Sequence, residues 1–355
     1  VDTAEEPGFP AGLERDRLAR FLADHVLGRV PGELTARLIA GGRSNLTYEV
    51  DADGHRVVVR RPPLGHVLPT AHDMAREFRV LAALAGTAVP VPRPLALCED
   101  PEVIGAPFYV MERVDGVVLR GPGELTRLSE PQARRLSDEL VRVLTEIHAV
   151  DFEAVGLGDF GRPAGYLERQ LRRWSEQWER SKTRDLPEID EIARRLRAAL
   201  PVSPPPTIVH GDYRLDNVMV ATDDPGRIVA VLDWEMSTLG DPLADLGLFL
   251  LYWGQSEAQL VATGAALATV PGLLNRDEIV AAYADRTGRD TAQLDWYLVF
   301  AAFKLAIIVE GIHARFRMGK TVGEGFETMG AMVAGLVTGA LETAGRSAIP
   351  ALRGV

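Results

Sequence analysis

Three side chains at fixed spacing constrain this 355-residue chain more than any other feature. Asp212 stands five residues before Asn217 in the run His210-Gly211-Asp212-Tyr213-Arg214-Leu215-Asp216-Asn217, and Asp233 follows sixteen residues later, ending the apolar run that begins at Ile228. Short strands are expected over 217–221 and 228–233, so the second aspartate emerges from a strand. A lone His-Gly-Asp is most often a turn, and Asp233 by itself reads as well as a helix cap. It is the order and spacing of all three that point to chemistry. One carboxylate to orient a hydroxyl and take its proton, with two hard oxygen donors suited to magnesium, is the set that phosphoryl transfer requires. On this reading Asp212 is the base, Asn217 and Asp233 hold the metal, and His210 holds the loop rather than moving protons.

The residues before this run read as a small sheet. An amphipathic helix is expected over 12–28, with Leu18, Phe21, Leu22 and Val26 on one face. Strands follow over 34–39, 47–52 and 56–61, and Asp53-Gly54 is a strong two-residue hairpin signal because a type I′ turn needs positive φ at both positions. A helix over 71–84 is ended by Val89-Pro90-Val91-Pro92, and strands over 93–97 and 107–114 complete the set. Beyond about residue 117 the pattern turns helical. Ser129-Glu130-Pro131-Gln132 is a capping box, helices are expected over 162–184, 188–200, 276–286, 294–317 and 323–343, and Asp241-Pro242 supplies an N-cap and first-turn proline for another. The expected organisation is an N-terminal lobe over 1–114 and a helical C-terminal lobe over 115–355.

Composition removes several classes of function. A formal net charge of −11 without a basic footprint argues against a nucleic-acid partner. Cys98 is the single cysteine, which excludes an intrachain disulfide and a thiolate zinc cluster and fits a reducing cytoplasm. The stretch 1–10 is acidic and lacks the apolar core of a secretory leader. The longest apolar run, 296–309, is interrupted by Lys304 and is shorter than the roughly 20 residues of a membrane span, so a buried helix is expected there and no membrane partner.

The His210–Asn217 run resembles the catalytic loop of the aminoglycoside phosphotransferase and choline kinase superfamily, in which His-Gly-Asp replaces the His-Arg-Asp of protein kinases. Asp233-Trp234-Glu235 is similar to that family's counterpart of Asp-Phe-Gly, and Gly240-Asp241-Pro242-Leu243-Ala244-Asp245-Leu246 resembles the segment that follows it, with Asp241 in a loop-supporting role. The resemblance runs from about residue 35 to about 320 and implies an α+β, bilobal protein-kinase-like fold. Its small antiparallel-sheet N-lobe and larger, mainly helical C-lobe would bind ATP (or GTP) and magnesium in the cleft. It implies further that the loop Gly41-Gly42-Arg43-Ser44-Asn45 offers backbone amides near Ser44 and Asn45 to the β-phosphate, with a plain hairpin connection as the alternative. The strand Phe108–Val114 would bracket the adenine through main-chain groups of Glu112 and Val114. In such folds a third-strand lysine contacts the phosphates and pairs with a helix glutamate. Here Arg60 occupies that place and Glu77 is the glutamate, because the first lysine in the chain is Lys182. Arginine keeps its charge but is a larger fork, so the exchange is not neutral. A non-catalytic, nucleotide-binding pseudokinase stays open for that reason.

The family handles many acceptors, so the substrate is a separate question. Residues 162–184 carry a net charge of +4 in an acidic chain, and Arg315, Arg317 and Lys320 form a second basic group. Pockets for polycationic aminoglycosides need carboxylates, so an anionic acceptor is expected instead, with Arg169, Arg173, Trp174 and Arg315 as its contacts. A solvated helix face with its tryptophans turned inward is the other explanation, and an aminoglycoside O-phosphotransferase remains the alternative. The runs 48–62 and 298–315 also resemble the kinase-like domain fused to acyl-CoA dehydrogenases and its free-standing bacterial relatives. That resemblance implies an arginine at the third-strand position and hydroxyacyl-CoA acceptors.

Overall fold

The computed structural model describes residues 9–39, 45–64, 73–120, 122–253, 270–319 and 329–354. The chain divides into two compact units, one of Val1–Gly116 with Val229–Glu235, the other of Val117–Ile228 with Met236–Val355.

The first unit is built on a five-stranded sheet. Strands β1 (Leu34–Leu38), β2 (Leu46–Ala52), β3 (His55–Arg61), β4 (Pro94–Cys98) and β5 (Phe108–Glu112) lie in the order β1-β2-β3-β5-β4, and every neighbouring pair is antiparallel. The hairpin between β2 and β3 turns at Asp53 and Gly54, whose φ values of 52° and 84° are those a type I′ turn demands. One face of the sheet carries Tyr48, Val50, Val57, Val59, Phe108 and Val110 into a core shared with Leu18, Phe21 and Leu22 of the leading helix. That helix is regular only over Arg15–Leu22; Ala23–Leu27 widens into a π-helical turn closed by Gly28 at φ 72°. The helical spacing of apolar residues predicts one continuous helix over 12–28, and the wider turn leaves no mark in that spacing. Met74–Leu84 follows β3, capped by the Asp73 carboxylate on the Arg76 amide at 2.9 Å.

The segment Val229–Glu235 belongs to this first unit, whereas its position in the chain had assigned it to the second lobe. Three bonds explain the return. Val231 N–H donates to Pro90 O at 2.7 Å, Arg60 Nη2 to Asp233 Oδ1 at 2.6 Å, and Asn45 Nδ2 to Glu235 Oε2 at 3.0 Å. None of these partners is near in sequence.

The second unit is mainly helical: Glu130–Ala149, Tyr166–Ser181, Pro187–Ala198, Pro242–Trp253, Arg276–Thr287, Leu294–Arg317 and Met329–Arg346. Its short strands Thr207–Val209 and Thr238–Gly240 pair antiparallel and flank the sequence that carries Asp212. By length and composition Leu294–Arg317 is long and apolar enough to cross a membrane, but 67% of its apolar window is buried within the protein. It packs on Tyr166–Ser181, Pro187–Ala198, Pro242–Trp253 and Met329–Arg346, which is how a core helix escapes water. Part of the expected final helix, 323–328, and Lys320 lie outside the described residues.

Candidate active site

In the second unit the run after Thr207–Val209 is bent by Gly211, whose φ is 86°. A Cβ there would stand 2.7 Å from Met236 O, so the position needs glycine both for its backbone angle and for space. The turn is gripped from two sides. The carboxylate of Asp245, 1% exposed on the helix Pro242–Trp253, accepts from His210 N–H at 2.6 Å and Gly211 N–H at 2.8 Å. From the helix Leu294–Arg317, Lys304 Nζ donates to Gly211 O at 2.9 Å. Asp241 ties the two helices together, taking Tyr297 OH at 2.7 Å and the Leu243 amide at 2.9 Å. Its loop-supporting assignment has this physical content. Replacing Gly211 by alanine is expected to cost about 1–3 kcal/mol for the backbone angle alone, read as a lower urea midpoint, with activity falling as the turn shifts.

His210 is fully buried, and its Nδ1 lies 3.2 Å from the Asp212 amide. Because an amide can only donate, Nδ1 accepts and the ring proton resides on Nε2. The geometry is that of a ring holding its own loop.

Asp212 itself is held at both oxygens: Tyr252 OH donates to Oδ1 at 3.2 Å and Asn217 Nδ2 to Oδ2 at 2.9 Å. Burial pushes its carboxyl up from the ordinary range, while Arg214, His210, Lys304 and the Asn217 bond oppose the shift. Asn217 Nδ2 also donates to Asp212 O at 2.8 Å, so the amide nitrogen faces Asp212 and the oxygen, Oδ1, is turned away from it. A hard oxygen is thereby presented in a fixed orientation, the donor chemistry that suits magnesium. Arg214 stacks on the Tyr252 ring at 4.4 Å.

The first unit gathers the other charged groups. Arg60 on β3 donates from Nε to Glu77 Oε2 at 3.1 Å and from Nη2 to Asp233 Oδ1 at 2.6 Å, so a single guanidinium bridges two carboxylates. Burial works against its charge, but Glu77, Tyr109, Asp233 and Glu235 together hold it above the ordinary arginine range. Glu77 is 2% exposed and takes a further bond from the Tyr109 hydroxyl. Asp233 has φ 66°, a left-handed backbone that a non-glycine residue adopts at a cost of about 1–3 kcal/mol. Such strain concentrates where function requires it.

The remaining expectations divide. Asn45 is 2% exposed with Oδ1 unpartnered among the described residues, whereas Ser44 and the rest of its glycine loop lie outside them. Glu112 N–H is taken by Arg93 O at 2.8 Å at the end of β5, so that amide is not free for a purine. Val114 lies two residues beyond the strand. Arg169 turns back on its own loop, donating to Ala164 O and Arg162 O. Arg315 is exposed, and no described contact joins it to Arg173 or Trp174. Sequence reasoning missed Tyr252, Lys304 and Glu235. The acidic residue of Asp-Trp-Glu was a signal for Glu235, and a lysine in an otherwise apolar helix was one for Lys304. The first unit also holds a cavity of about 570 Å³ lined by Arg17, Phe21, His25 and Cys98, among others, which contains none of these groups.

Residues 35–296 match the family model described as the phosphotransferase enzyme family. Among curated proteins the chain is 33% identical to mouse acyl-CoA dehydrogenase family member 10 over 87% of its own length and 29% of that protein's. It is 34% identical to rat acyl-CoA dehydrogenase family member 11, over 82% of its own length and 38% of the relative's. It thus spans about a third of these relatives. Among solved structures, a Ralstonia eutropha protein assigned to the aminoglycoside phosphotransferases superposes with a TM-score of 0.75 at 34% identity, covering 93% of this chain and 98% of the other. A choline/ethanolamine kinase family protein from Mesorhizobium loti superposes with a TM-score of 0.60 at 17% identity, over 96% and 99% of the two chains, a likeness of fold alone.

Proposed function

The chain belongs to the phosphotransferase enzyme family, and from that membership we propose that it transfers the γ-phosphoryl group of ATP to a hydroxyl of a small molecule. The observation that carries this reading is the Asp212–Asn217 pair, a half-buried carboxylate whose partner amide is locked so that its oxygen faces away. In the reaction the acceptor oxygen forms the new P–O bond, the bridging oxygen leaves with ADP and the electron pair, and the hydroxyl proton passes to the Asp212 carboxylate. Tyr252 and the Gly211 turn keep that carboxylate in one orientation. Asn217 Oδ1 and the Asp233 carboxylate are the hard oxygens that would hold magnesium, which would offset the charge of the nucleotide's phosphates. Arg60 contributes a permanently charged fork for phosphate oxygens, and the Glu112 carbonyl with the main chain at Val114 serves the purine ring.

For the acceptor, an anionic hydroxy compound such as a hydroxyacyl-CoA fits better than a polycationic aminoglycoside. The curated relatives are named acyl-CoA dehydrogenases, and residues 162–184 carry a net charge of +4. Incubating the protein with magnesium and ATP or GTP against hydroxyacyl-CoAs, choline and aminoglycosides, with mass spectrometry of the products, checks both choices. A gain of one phosphoryl group by a hydroxyacyl-CoA is expected, and phosphorylation of aminoglycosides alone would sink the acceptor assignment. One observation favours a second reading, a nucleotide-binding protein without turnover: Arg60 already engages Asp233 Oδ1. A magnesium-dependent rise in melting temperature with ATP and no product from any hydroxyl compound would establish it.

A further inference from the structure

Only three of the chain's 39 basic residues are lysine, and one of the three, Lys304, is set into the long, largely buried helix Leu294–Arg317. An ammonium carries three donors. Lys304 gives one to Gly211 O at 2.9 Å, and no described residue accepts the others. Its Nζ stands 5.8 Å from the centre of the Trp174 ring. Trp174 is 8% exposed, and its Nε1–H is buried without a hydrogen-bond partner among the described residues. Arg173 stands over the same ring, also at 5.8 Å, and is exposed and free of any described ion pair.

These three groups donate and cannot accept. A buried donor left unmade costs about 1–3 kcal/mol, so an orphan of this kind asks for an explanation. Burial pushes the Lys304 ammonium down, with Arg173 adding a smaller push in the same direction, against the pull of Asp212 and Asp245. Neither carboxylate is hydrogen-bonded to Lys304, Trp174 or Arg173 among the described contacts. Asp212 is occupied by Tyr252 and Asn217, and Asp245 by the His210 and Gly211 amides. What the cluster lacks is an acceptor with negative charge.

We propose that Lys304, Trp174 and Arg173 form a subsite beside Asp212 that takes an anionic oxygen group, carboxylate or phosphate, carried by the hydroxyl acceptor. The assignment rests on the phosphotransferase reading for its word acceptor, but its recognition chemistry does not. On the helix Tyr166–Ser181, Arg180 pairs with Glu176 and Arg169 holds its own loop, and Lys182 at its C-cap pairs with Glu179, whereas Arg172 points to solvent. Of the cations on this helix, Arg173 is the one that stands over the Trp174 ring.

The test follows the Trp174 indole proton by NMR in the full chain labelled with 15N-tryptophan, the signal identified by Trp174→Phe. Inorganic phosphate, acetate and glycerol are titrated separately at constant ionic strength. The expected result is a downfield shift with phosphate or acetate, the larger response naming the class, and none with glycerol. Lys304→Met is expected to weaken that response at least tenfold. Arg173→Gln, on an exposed position, weakens it without risk to the fold, and the other four of the five tryptophans report whether either variant is intact. A shift that is absent, equal with glycerol, or unchanged in both variants overturns the subsite. If magnesium with AMP-PNP alone moves the resonance and blocks phosphate, the anion read here is the nucleotide's own and the acceptor assignment falls. Because nothing in this readout needs turnover, an intact oxyanion response in a protein that phosphorylates no acceptor defeats the reaction and leaves the subsite standing.

Discussion

Asp212→Asn is expected to lower turnover by about 10²–10⁴-fold, the span of rate that a positioned general base supplies. The substitution is nearly isosteric and keeps an oxygen to accept from Tyr252 or Asn217, so the turn it sits on should survive. What it removes is the ability to take the acceptor's proton. Affinity for magnesium and ATP should change little, since the Asp212 carboxylate contacts Asn217 through the amide nitrogen and leaves its oxygen unaffected. Stability should rise slightly or stay the same, because burial already disfavours the charged form of Asp212. The measurement is steady-state release of ADP with an active acceptor, paired with a thermal shift by ATP. Turnover close to that of the unaltered protein would remove Asp212 from the role of base.

Much of this site was legible because its chemistry is compressed into short spans. Asp212 and Asn217 are five residues apart and bond to one another, and Asp53-Gly54 dictates its own turn by backbone sterics. Arg60 and Glu77 were placed by counting along a strand and its following helix, and they meet at 3.1 Å. The illegible parts are all contacts across long separations. Lys304 reaches Gly211 over 93 residues, and Tyr252 reaches Asp212 over 40. Periodicity reports which face of a helix is apolar, not what lies opposite it, so Lys304 read as an interruption of an apolar run. The return of Val229–Glu235 to the first unit was hidden in the same way. It depends on Pro90, Arg60 and Asn45, which no local pattern links to Asp233.

Those long-range bonds give Arg60 structural leverage, since its guanidinium joins Glu77 to Asp233. Its side chain is 12% exposed and bridges Glu77 and Asp233, themselves 2% and 29% exposed at the side chain. Removing one member of a buried ion pair leaves an uncompensated charge, which costs about 3–5 kcal/mol. Arg60→Met is therefore expected to destabilise the protein by about 3–5 kcal/mol in urea unfolding. It should also abolish the thermal shift by magnesium and ATP, since a cation for phosphate oxygens and the anchor of Asp233 disappear together. Arg60→Lys separates these effects. A single ammonium on a shorter stem retains the charge that offsets Glu77 but lacks the fork whose Nε and Nη2 reach two carboxylates from different edges. Most of the stability should return, while Asp233 loses its tie and the Michaelis constant for ATP changes more than stability does. If Arg60→Lys instead restores both fully, the arginine is a compositional preference for guanidinium and the bridge to Asp233 has no functional weight. If Arg60→Met melts as the unaltered protein does, Glu77 is protonated in its buried site and the ion pair contributes nothing to the fold.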